Sequence, residues 1–335
     1  MNIIIPMAGM GKRMRPHTLT TAKPLLPIAG KPIVQRLVED ILATANEKVE
    51  EIAFIIGPGF GAEVEAHLCS VAETLGAKGK ICYQAEALGT AHAILCAGET
   101  LSGNVFIAFA DTLFKAEFNI DKNKDAIVWT HKVADPRAFG VVKLNEAGEI
   151  EAFVEKPQEF VSDLAIIGVY YFKDGERLKN ELNRLIDLKI MQKGEYQITD
   201  AMEHMLQNGV KFYTGQVEEW LDCGNKDNTI YTNQRMLEIK KNKETLVSAT
   251  AVIDHSVIIE PCYIGEDVVV TNSVIGPHVS LEKGAKVMDS RVVNSIIQAE
   301  SVVKNAQITT SIIGKHVTYT EHPKELSLGD YSFQI

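Results

Sequence analysis

The sequence predicts an α/β fold with a mostly parallel sheet flanked by helices, followed by a short parallel β-helix. Two observations lead to this prediction. From residue 1 to about 225, short β-branched runs alternate with amphipathic segments, which is the pattern of a parallel sheet covered by helices. After about residue 246, serines and aliphatic residues recur at nearly regular steps, which is typical of stacked coils.

Nine segments of the first part have the composition of strands. They lie at 2–7, 51–56, 80–84, 105–110, 126–133, 140–144, 150–155, 165–172 and 211–215. The clearest helix starts near Pro32, which suits a first helical position, and continues in an apolar stripe at positions 34, 37, 38, 41 and 42. Other helices are predicted at 62–75, 90–97, 175–188 and 199–208. Because ligands of such sheets bind at the carboxyl ends of strands, residues just after the strands are candidate site residues.

The second part has a repeat of short steps. Ser256, Ser273 and Ser290 lie 17 residues apart, and Ser295 and Ser311 lie 16 apart. Aliphatic residues between them recur mostly every five or six residues. Three such steps make one coil of a parallel β-helix, in which each aliphatic corner stacks on the next. An ordinary antiparallel β domain with chance serines is the alternative.

These patterns divide the chain into four parts. We predict an α/β domain at 1–225, a helix and charged linker at 226–246, the β-helix at 247–320 and a tail at 321–335. The flat sides and open end of a β-helix need cover, so we expect it to assemble a homo-oligomer.

Composition excludes several partners. The 34 Lys and Arg against 44 Asp and Glu give the 335 residues a net charge of −10, which repels nucleic acid and anionic membranes. The five cysteines are odd in number and show no Cys-x-x-Cys spacing, which argues for a reducing compartment. No apolar run approaches membrane-spanning length, so we expect a cytoplasmic protein that binds neither nucleic acid nor membrane.

The residues after the first strand have the character of a phosphate site. Gly9 and Gly11 lack a Cβ, so the backbone can turn sharply and bring its N–H groups close to an anion. Lys12, Arg13 and, further on, Lys23 supply positive charge. Neither standard phosphate motif fits, because a dinucleotide fingerprint needs glycine at position 14 and a P-loop needs Ser or Thr at position 13.

The full run resembles a known signature. Gly9-x-Gly11-x-Arg13-Met14, then Pro16, Lys23-Pro24-x-x-Pro27 and Lys31-Pro32, is similar to the signature of the sugar nucleotidyltransferases, also called nucleotide-sugar pyrophosphorylases. The resemblance is strongest to long glucose-1-phosphate thymidylyltransferases with a C-terminal left-handed β-helix. It implies a Rossmann-like catalytic domain that joins a sugar 1-phosphate to a nucleoside triphosphate and releases pyrophosphate. It also implies catalytic roles for Arg13 and Lys23, and triphosphate binding by Ala8, Gly9, Gly11 and Lys12.

A second segment, 84–93, follows a strand and opens a helix. The amide of Gln84 can both donate and accept, as reading a pyrimidine edge requires, and Gly89 would let the backbone approach the base. The segment resembles the base-reading segment of uridylyl- and thymidylyltransferases, which implies nucleotide binding by Gln84, Gly89 and Thr90. Both dTTP and UTP remain open. We expect His92 to be structural.

Two aspartates are candidate metal ligands. Asp111 closes a buried strand, and Asp222 lies in Trp220-Leu-Asp-Cys-Gly224. The resemblance implies that both bind Mg²⁺, which takes few protein oxygens and keeps water or phosphate ligands. The family usually has Gly before the first aspartate, whereas this chain has Ala110. Only the fold can bring the two aspartates together.

The run Gly140-Val-Val-Lys, then Phe153-Val-Glu-Lys-Pro157, completes the set. Pro157 predicts an extended Lys156, with Glu155 and Lys156 on opposite faces of a strand end unless the strand twists there. The resemblance implies that Gly140, Glu155 and Lys156 bind the sugar phosphate. Ile166 replaces an Asn typical of enzymes for N-acetylglucosamine 1-phosphate, which favours glucose 1-phosphate.

Two alternatives remain. Family members with long β-helices transfer acetyl groups, and His255, His278 and His316 could be bases, which would make the protein a bifunctional uridylyltransferase and acetyltransferase for amino-sugar 1-phosphates. The other alternative is a non-catalytic regulatory subunit that binds nucleotide-sugars. Such a subunit is expected to lose its charged site residues, and this chain keeps them.

Overall fold

A computed structural model describes residues 1–9, 11–44, 47–116, 120–322, 325 and 327. The chain separates into two compact units, one of Met1–Leu26 with Lys31–Asn228 and one of Pro27–Gly30 with Thr229–Ile335. Most of the predicted tail at 321–335 lies outside the described residues. No helix in the described ranges is long and apolar enough to cross a membrane.

The strands before residue 223 alternate with helices, as the sequence predicts. In chain order the strands are β1 Asn2–Pro6, β2 Pro27–Ile28, β3 Lys31–Pro32, β4 Glu51–Ile56, β5 Lys78–Tyr83, β6 Val105–Ala108, β7 Thr112–Lys115, β8 Ala126–Lys132, β9 Gly140–Leu144, β10 Ile150–Glu155, β11 Leu164–Phe172, β12 Phe212–Gln216 and β13 Glu219–Asp222. The helices of the chain are α1 Ile33–Thr44, α2 Ala62–Thr74, α3 Thr90–Leu95, α4 Gly175–Asp187, α5 Ile198–Gln207 and α6 Lys226–Lys240. The predicted elements all have counterparts here, whereas the short strands β2, β3, β7 and β13 were not predicted.

A nine-stranded sheet forms the centre of the larger unit. Strands β5, β4, β1 and β6 are neighbours and run parallel. The sheet continues through β11, which is antiparallel to β6, β8 and β9, and β12 adds a parallel pair with β8. The predicted α/β class is confirmed, and its parallel strands end together beside the loops that follow β1 and β6.

Helical periodicity explains how the helices cover this sheet. In α4 the leucines at 178, 182 and 185 are buried on one face, and the helix begins after Asp174, whose carboxylate accepts a hydrogen bond from Arg177 N at 2.8 Å. In α1 the stripe at 33, 34, 37, 38 and 41 is buried. Burial of these faces is what stabilises the short helices.

The second unit contains three sheets of short parallel strands. Its strands are β14 Val252–Asp254, β15 Val257–Ile258, β16 Cys262–Ile264, β17 Val269–Thr271, β18 Val274–Ile275, β19 Val279–Leu281, β20 Lys286–Met288, β21 Arg291–Val293, β22 Ile296–Ile297, β23 Val302–Lys304, β24 Gln307–Thr309, β25 Ile312–Ile313 and β26 Thr318–Thr320. Each strand pairs with the strand three positions later, so the chain passes through the three sheets in turn. This confirms the predicted parallel β-helix, and the stack fits the left-handed form.

The serine spacing has a hydrogen-bonding cause. Ser273 donates from Oγ to Thr271 O at 2.7 Å, and the same oxygen accepts from Ser290 N of the next coil at 3.1 Å. Ser256 Oγ accepts from Ser273 N in the same way, at 3.0 Å. Ser256 and Ser273 therefore each accept from a backbone N–H one coil further on, and Ser273 also closes its own turn.

Candidate functional site

A lysine and an aspartate meet where β1 and β6 end. Lys23 Nζ lies 2.6 Å from Asp111 Oδ2, and the Lys23 side chain is only 11% exposed. The two residues line a cleft of about 130 Å³ together with Gly9 and Gly11. Because β1 and β6 are parallel neighbours, the loops after them share one edge of the sheet.

Gly9 and Gly11, in the loop after β1, differ in whether the fold leaves room for a side chain. Gly11 has φ +56°, and a Cβ there would lie 2.8 Å from Lys23 Cβ, so the fold itself requires glycine. Thr18 Oγ1 also donates to Gly11 O at 2.8 Å. At Gly9 a Cβ would meet no atom of the described residues within 4 Å, so this part of the chain leaves open space beside the backbone. Ala8, just before it, is partly buried.

Two further cations follow this loop. Lys12 and Arg13 lie in a three-residue 3₁₀ helix, Lys12–Met14, and both side chains are exposed. Neither makes an ion pair with a residue in the described ranges, and neither lines the cleft around Lys23. Their charges are therefore directed to solvent, where an anion could reach them.

The second predicted metal ligand reaches the site through a two-stranded ribbon. Strands β7 and β13 are antiparallel, with Asp222 opposite Thr112, and Cys223 N donates to Asp111 O at 2.9 Å. The ribbon thus joins the backbone at 111 and 112 to the backbone at 222 and 223. Asp222 Oδ1 accepts from Gly224 N at 2.8 Å and Oδ2 from Asn228 Nδ2 at 2.5 Å.

These contacts make Asn228 a candidate site residue, which the sequence analysis did not identify. It lies in the first turn of α6, six residues after Asp222. Gly224 leaves room for this carboxylate, because a Cβ there would lie 2.9 Å from Asp222 Oδ1. The only signal in the sequence was a polar residue in the first helical turn after the Trp-x-Asp-x-Gly run.

Asp111 and Asp222 offer carboxylate oxygens, which are the ligand type that Mg²⁺ prefers, and such an ion would complete its shell with water or phosphate. Among the described residues, no group of three His, Cys, Asp or Glu side chains could hold a metal ion. Asp111 is 38% exposed, and its Oδ1 accepts no hydrogen bond from the described part of the chain. Asp111 and Asp222 could therefore each supply an oxygen, with Lys23 remaining beside the first carboxylate.

The predicted sugar-phosphate residues also meet. Gly140 pairs with Glu155 across β9 and β10, and a Cβ on Gly140 would lie 3.0 Å from Glu155 Oε2. Lys156 Nζ lies 3.1 Å from Glu155 Oε1. The prediction of an extended Lys156 was wrong, since its φ is +46°. This left-handed turn lets Lys156 N donate to Phe139 O at 3.0 Å and brings both charges together.

Three more side chains around Glu155 were not predicted. Thr199 Oγ1 donates to Glu155 Oε2 at 3.4 Å. Burial raises the pKa of Tyr170 well above its ordinary value, and the nearby Glu155 charge adds to this. Burial also raises the pKa of the Asp200 carboxyl, against a hydrogen bond from Gln192, with the Glu155 charge adding to the rise. The Thr-Asp pair opening α5 carried no motif that the sequence reasoning used.

The predicted base-reading residues form a compact group. Gln84, only 9% exposed, donates from Nε2 to Gly89 O at 3.2 Å. Gly89 has φ +106°, and a Cβ there would lie 2.5 Å from Tyr196 O, so contact with the 196 backbone requires this glycine. Thr90 Oγ1 donates to Gln197 Oε1 at 3.1 Å and accepts from Ile198 N at 3.0 Å. Its hydroxyl thus fixes the start of α5.

Known proteins resemble this chain over most of its length. The family profile described as "Nucleotidyl transferase" matches residues 2–239. A glucose-1-phosphate thymidylyltransferase from Streptomyces antibioticus is 30% identical over 365 residues, covering 99% of this chain and 98% of the relative. The bifunctional protein GlmU of Methanococcus maripaludis (strain DSM 14266) is 29% identical over 273 residues, covering 78% of this chain and 62% of the relative.

A solved structure supports the same fold. The crystal structure of a UDP-glucose pyrophosphorylase complexed with UDP-glucose is 26% identical to this chain. The match has a TM-score of 0.57 and covers 71% of this chain and 98% of the other. The α/β architecture of the larger unit is therefore one that solved relatives share.

Proposed function

Because the chain belongs to the nucleotidyl transferase family, we propose that it joins a sugar 1-phosphate to a pyrimidine nucleoside triphosphate and releases pyrophosphate. The observation that carries the proposal is the meeting of Lys23 and Asp111 at 2.6 Å in the cleft beside Gly9. The similar proteins include a glucose-1-phosphate thymidylyltransferase, which supports an activity on sugar phosphates. Glucose 1-phosphate with dTTP or UTP is the substrate pair we favour.

The reaction needs alignment and charge neutralisation more than proton transfer. The sugar phosphate oxygen is already anionic at neutral pH, so it can attack the α-phosphorus without a general base while pyrophosphate leaves. Two like-charged substrates must meet, so cations in the cleft lower the barrier. Lys23 would stabilise charge at the α-phosphate, and its burial in the wall of the cleft supports this role.

The other candidate residues would each bind a different part of the substrates. Arg13, Lys12 and the backbone of Ala8, Gly9 and Gly11 would hold the β- and γ-phosphates. Gln84, Gly89 and Thr90 would bind the nucleotide base side. Mg²⁺ held by Asp111 and Asp222 would neutralise phosphate charge.

A separate set of residues would bind the sugar 1-phosphate. Lys156 would bind the phosphate, exchanging its contact with Glu155, while Glu155 would accept hydrogen bonds from sugar hydroxyls and Gly140 would offer its backbone. Ile166 is 8% exposed, and its Cδ1 is 3.4 Å from the Cβ position of Gly140. An aliphatic group there offers no hydrogen bond to an N-acetyl group, which favours glucose 1-phosphate.

A matrix of triphosphates against sugar 1-phosphates, read out as pyrophosphate, tests the proposal. We expect the highest kcat/KM for dTTP or UTP with glucose 1-phosphate, and no turnover when chelator removes Mg²⁺. Preference for a purine triphosphate would contradict the base assignment. No pyrophosphate with any pair would instead favour the non-catalytic regulatory subunit.

The bifunctional alternative has one observation in its favour, the match to a bifunctional relative. The three histidines that could act as bases have positive φ angles, which are typical of the corners of the coils. His255 pairs with Asp254 at 2.8 Å and His278 with Glu238 at 2.6 Å. We therefore favour structural roles for them. Incubation with acetyl-CoA and glucosamine 1-phosphate decides the matter, and an acetylated product would establish the second activity.

We also infer that the protein acts as a homo-oligomer in the cytoplasm. The oligomer is supported by exposed aliphatic side chains on the first coil of the β-helix. The cytoplasmic location is supported by the odd number of cysteines, five, and by their lack of Cys-x-x-Cys spacing.

A further inference from the structure

The orientation of the Gln84 amide can be derived from its neighbours. One end of the amide lies 3.2 Å from Gly89 O, and a carbonyl oxygen only accepts hydrogen bonds, so this end is the NH₂ group. The same nitrogen lies 3.1 Å from His92 Nδ1. Both N–H groups of the amide are therefore used inside the protein.

This arrangement defines the state of His92. Since Gln84 Nε2 donates, His92 Nδ1 must accept, and the neutral ring carries its proton on Nε2. The remaining polar atom of the amide is Gln84 Oε1, which accepts no hydrogen bond from any residue that the structure describes. A ligand at this amide therefore meets an acceptor.

We propose that His92 is a positioning residue that holds Gln84 with its carbonyl oxygen available to the nucleobase, so that the site selects pyrimidines with a ring N–H. The inference rests on the proposed function. Uracil and thymine present a donor at N3, which pairs with an acceptor. Cytosine has an acceptor at N3, which would face Oε1 as two lone pairs and lose the bond.

The ratio of kcat/KM for UTP over CTP, and for dTTP over dCTP, tests this role. His92→Leu removes one of the two bonds that orient the amide, so we expect the ratio to fall about 2- to 10-fold, as one neutral hydrogen bond allows. His92→Asn can place Oδ1 near the former Nδ1 and should restore part of the ratio. His67→Leu, on the exposed face of α2, is the matched control and should leave the ratio unchanged.

An unchanged ratio in folded, active His92→Leu would overturn the inference. A second measurement is made on the wild-type protein: the long-range ¹H–¹⁵N spectrum of its histidine rings. The signals of His92 are assigned as those that are missing from the spectrum of His92→Asn. We expect the Nε2–H tautomer, and an Nδ1–H tautomer would overturn the inference. Absence of turnover by the wild-type protein with every triphosphate would count against the proposed function alone, because the tautomer is read independently.

Discussion

At the scale of single residues, the close pair of Lys23 and Asp111 carries the clearest prediction. Asp111→Asn keeps the side-chain size but removes the charge that faces Lys23 and the proposed Mg²⁺. We expect turnover to fall roughly 10²- to 10³-fold, the usual cost of losing one charged group at such a site. Pyrophosphate release at saturating Mg²⁺ measures the effect.

The control for this variant is Asp187→Asn. Asp187 is exposed at the end of α4 and should tolerate the change with near wild-type turnover. Near-normal activity of Asp111→Asn would show that the metal assignment is wrong.

Two glycines separate a folding role from a binding role. Gly89→Ala puts a Cβ 2.5 Å from Tyr196 O at φ +106°, so we expect a loss of roughly 1–3 kcal/mol in the free energy of unfolding. In Gly9→Ala the new Cβ meets none of the residues that the structure describes within 4 Å, so the free energy of unfolding should change by less than about 0.5 kcal/mol. The KM for triphosphate should rise, because the backbone can no longer approach an anion. Thermal unfolding and steady-state kinetics measure both. Equal decreases in Tm in the two variants would refute the assignment of a folding role to Gly89 and a binding role to Gly9.

At the scale of elements, the serine ladder of the β-helix offers a test of what specifies the coils. Ser273→Ala leaves Ser290 N without its buried acceptor, which should cost about 1–3 kcal/mol. Hydrogen exchange of peptides from neighbouring coils measures the local loss of protection. Ser311→Ala is the control, because Ser311 Oγ only donates, to Thr309 O at 2.8 Å, in the part of the chain that is described. Similar losses in both variants would mean that the ladder adds no stability.

Two short strands, β7 and β13, could not be predicted from the sequence pattern. The nine predicted strands were found because they are five or more residues long or strongly apolar, whereas β7 and β13 have four residues each and carry charged residues at their ends. Their pairing, which brings Asp222 beside Thr112, is a contact between distant parts of the chain. No local period encodes such a contact.

At the scale of the whole molecule, we predict a mass in solution larger than the 36.9 kDa of one chain. Val252, Ile253, Val257 and Ile259 are 40–57% exposed on and beside the first coil, and such a group is usually covered by another chain. Light scattering after size exclusion measures the mass. Val257→Lys should lower it, while Leu188→Lys, at an equally exposed leucine of the larger unit, should not. A monomeric wild type would contradict the prediction.

The order of residue types was enough to predict the α/β class, the β-helix and the family resemblance, which the profile match over residues 2–239 confirms. It also predicts phosphate binding by the loop after β1. These depend on local sterics and periodic burial, which leave a pattern in neighbouring residues. The folded chain was needed to see that Lys23 contacts Asp111, that Lys156 turns back on Glu155 and that His92 Nδ1 contacts Gln84 Nε2. These partners are chosen by packing and backbone direction, so residue types and spacing alone could not reveal them.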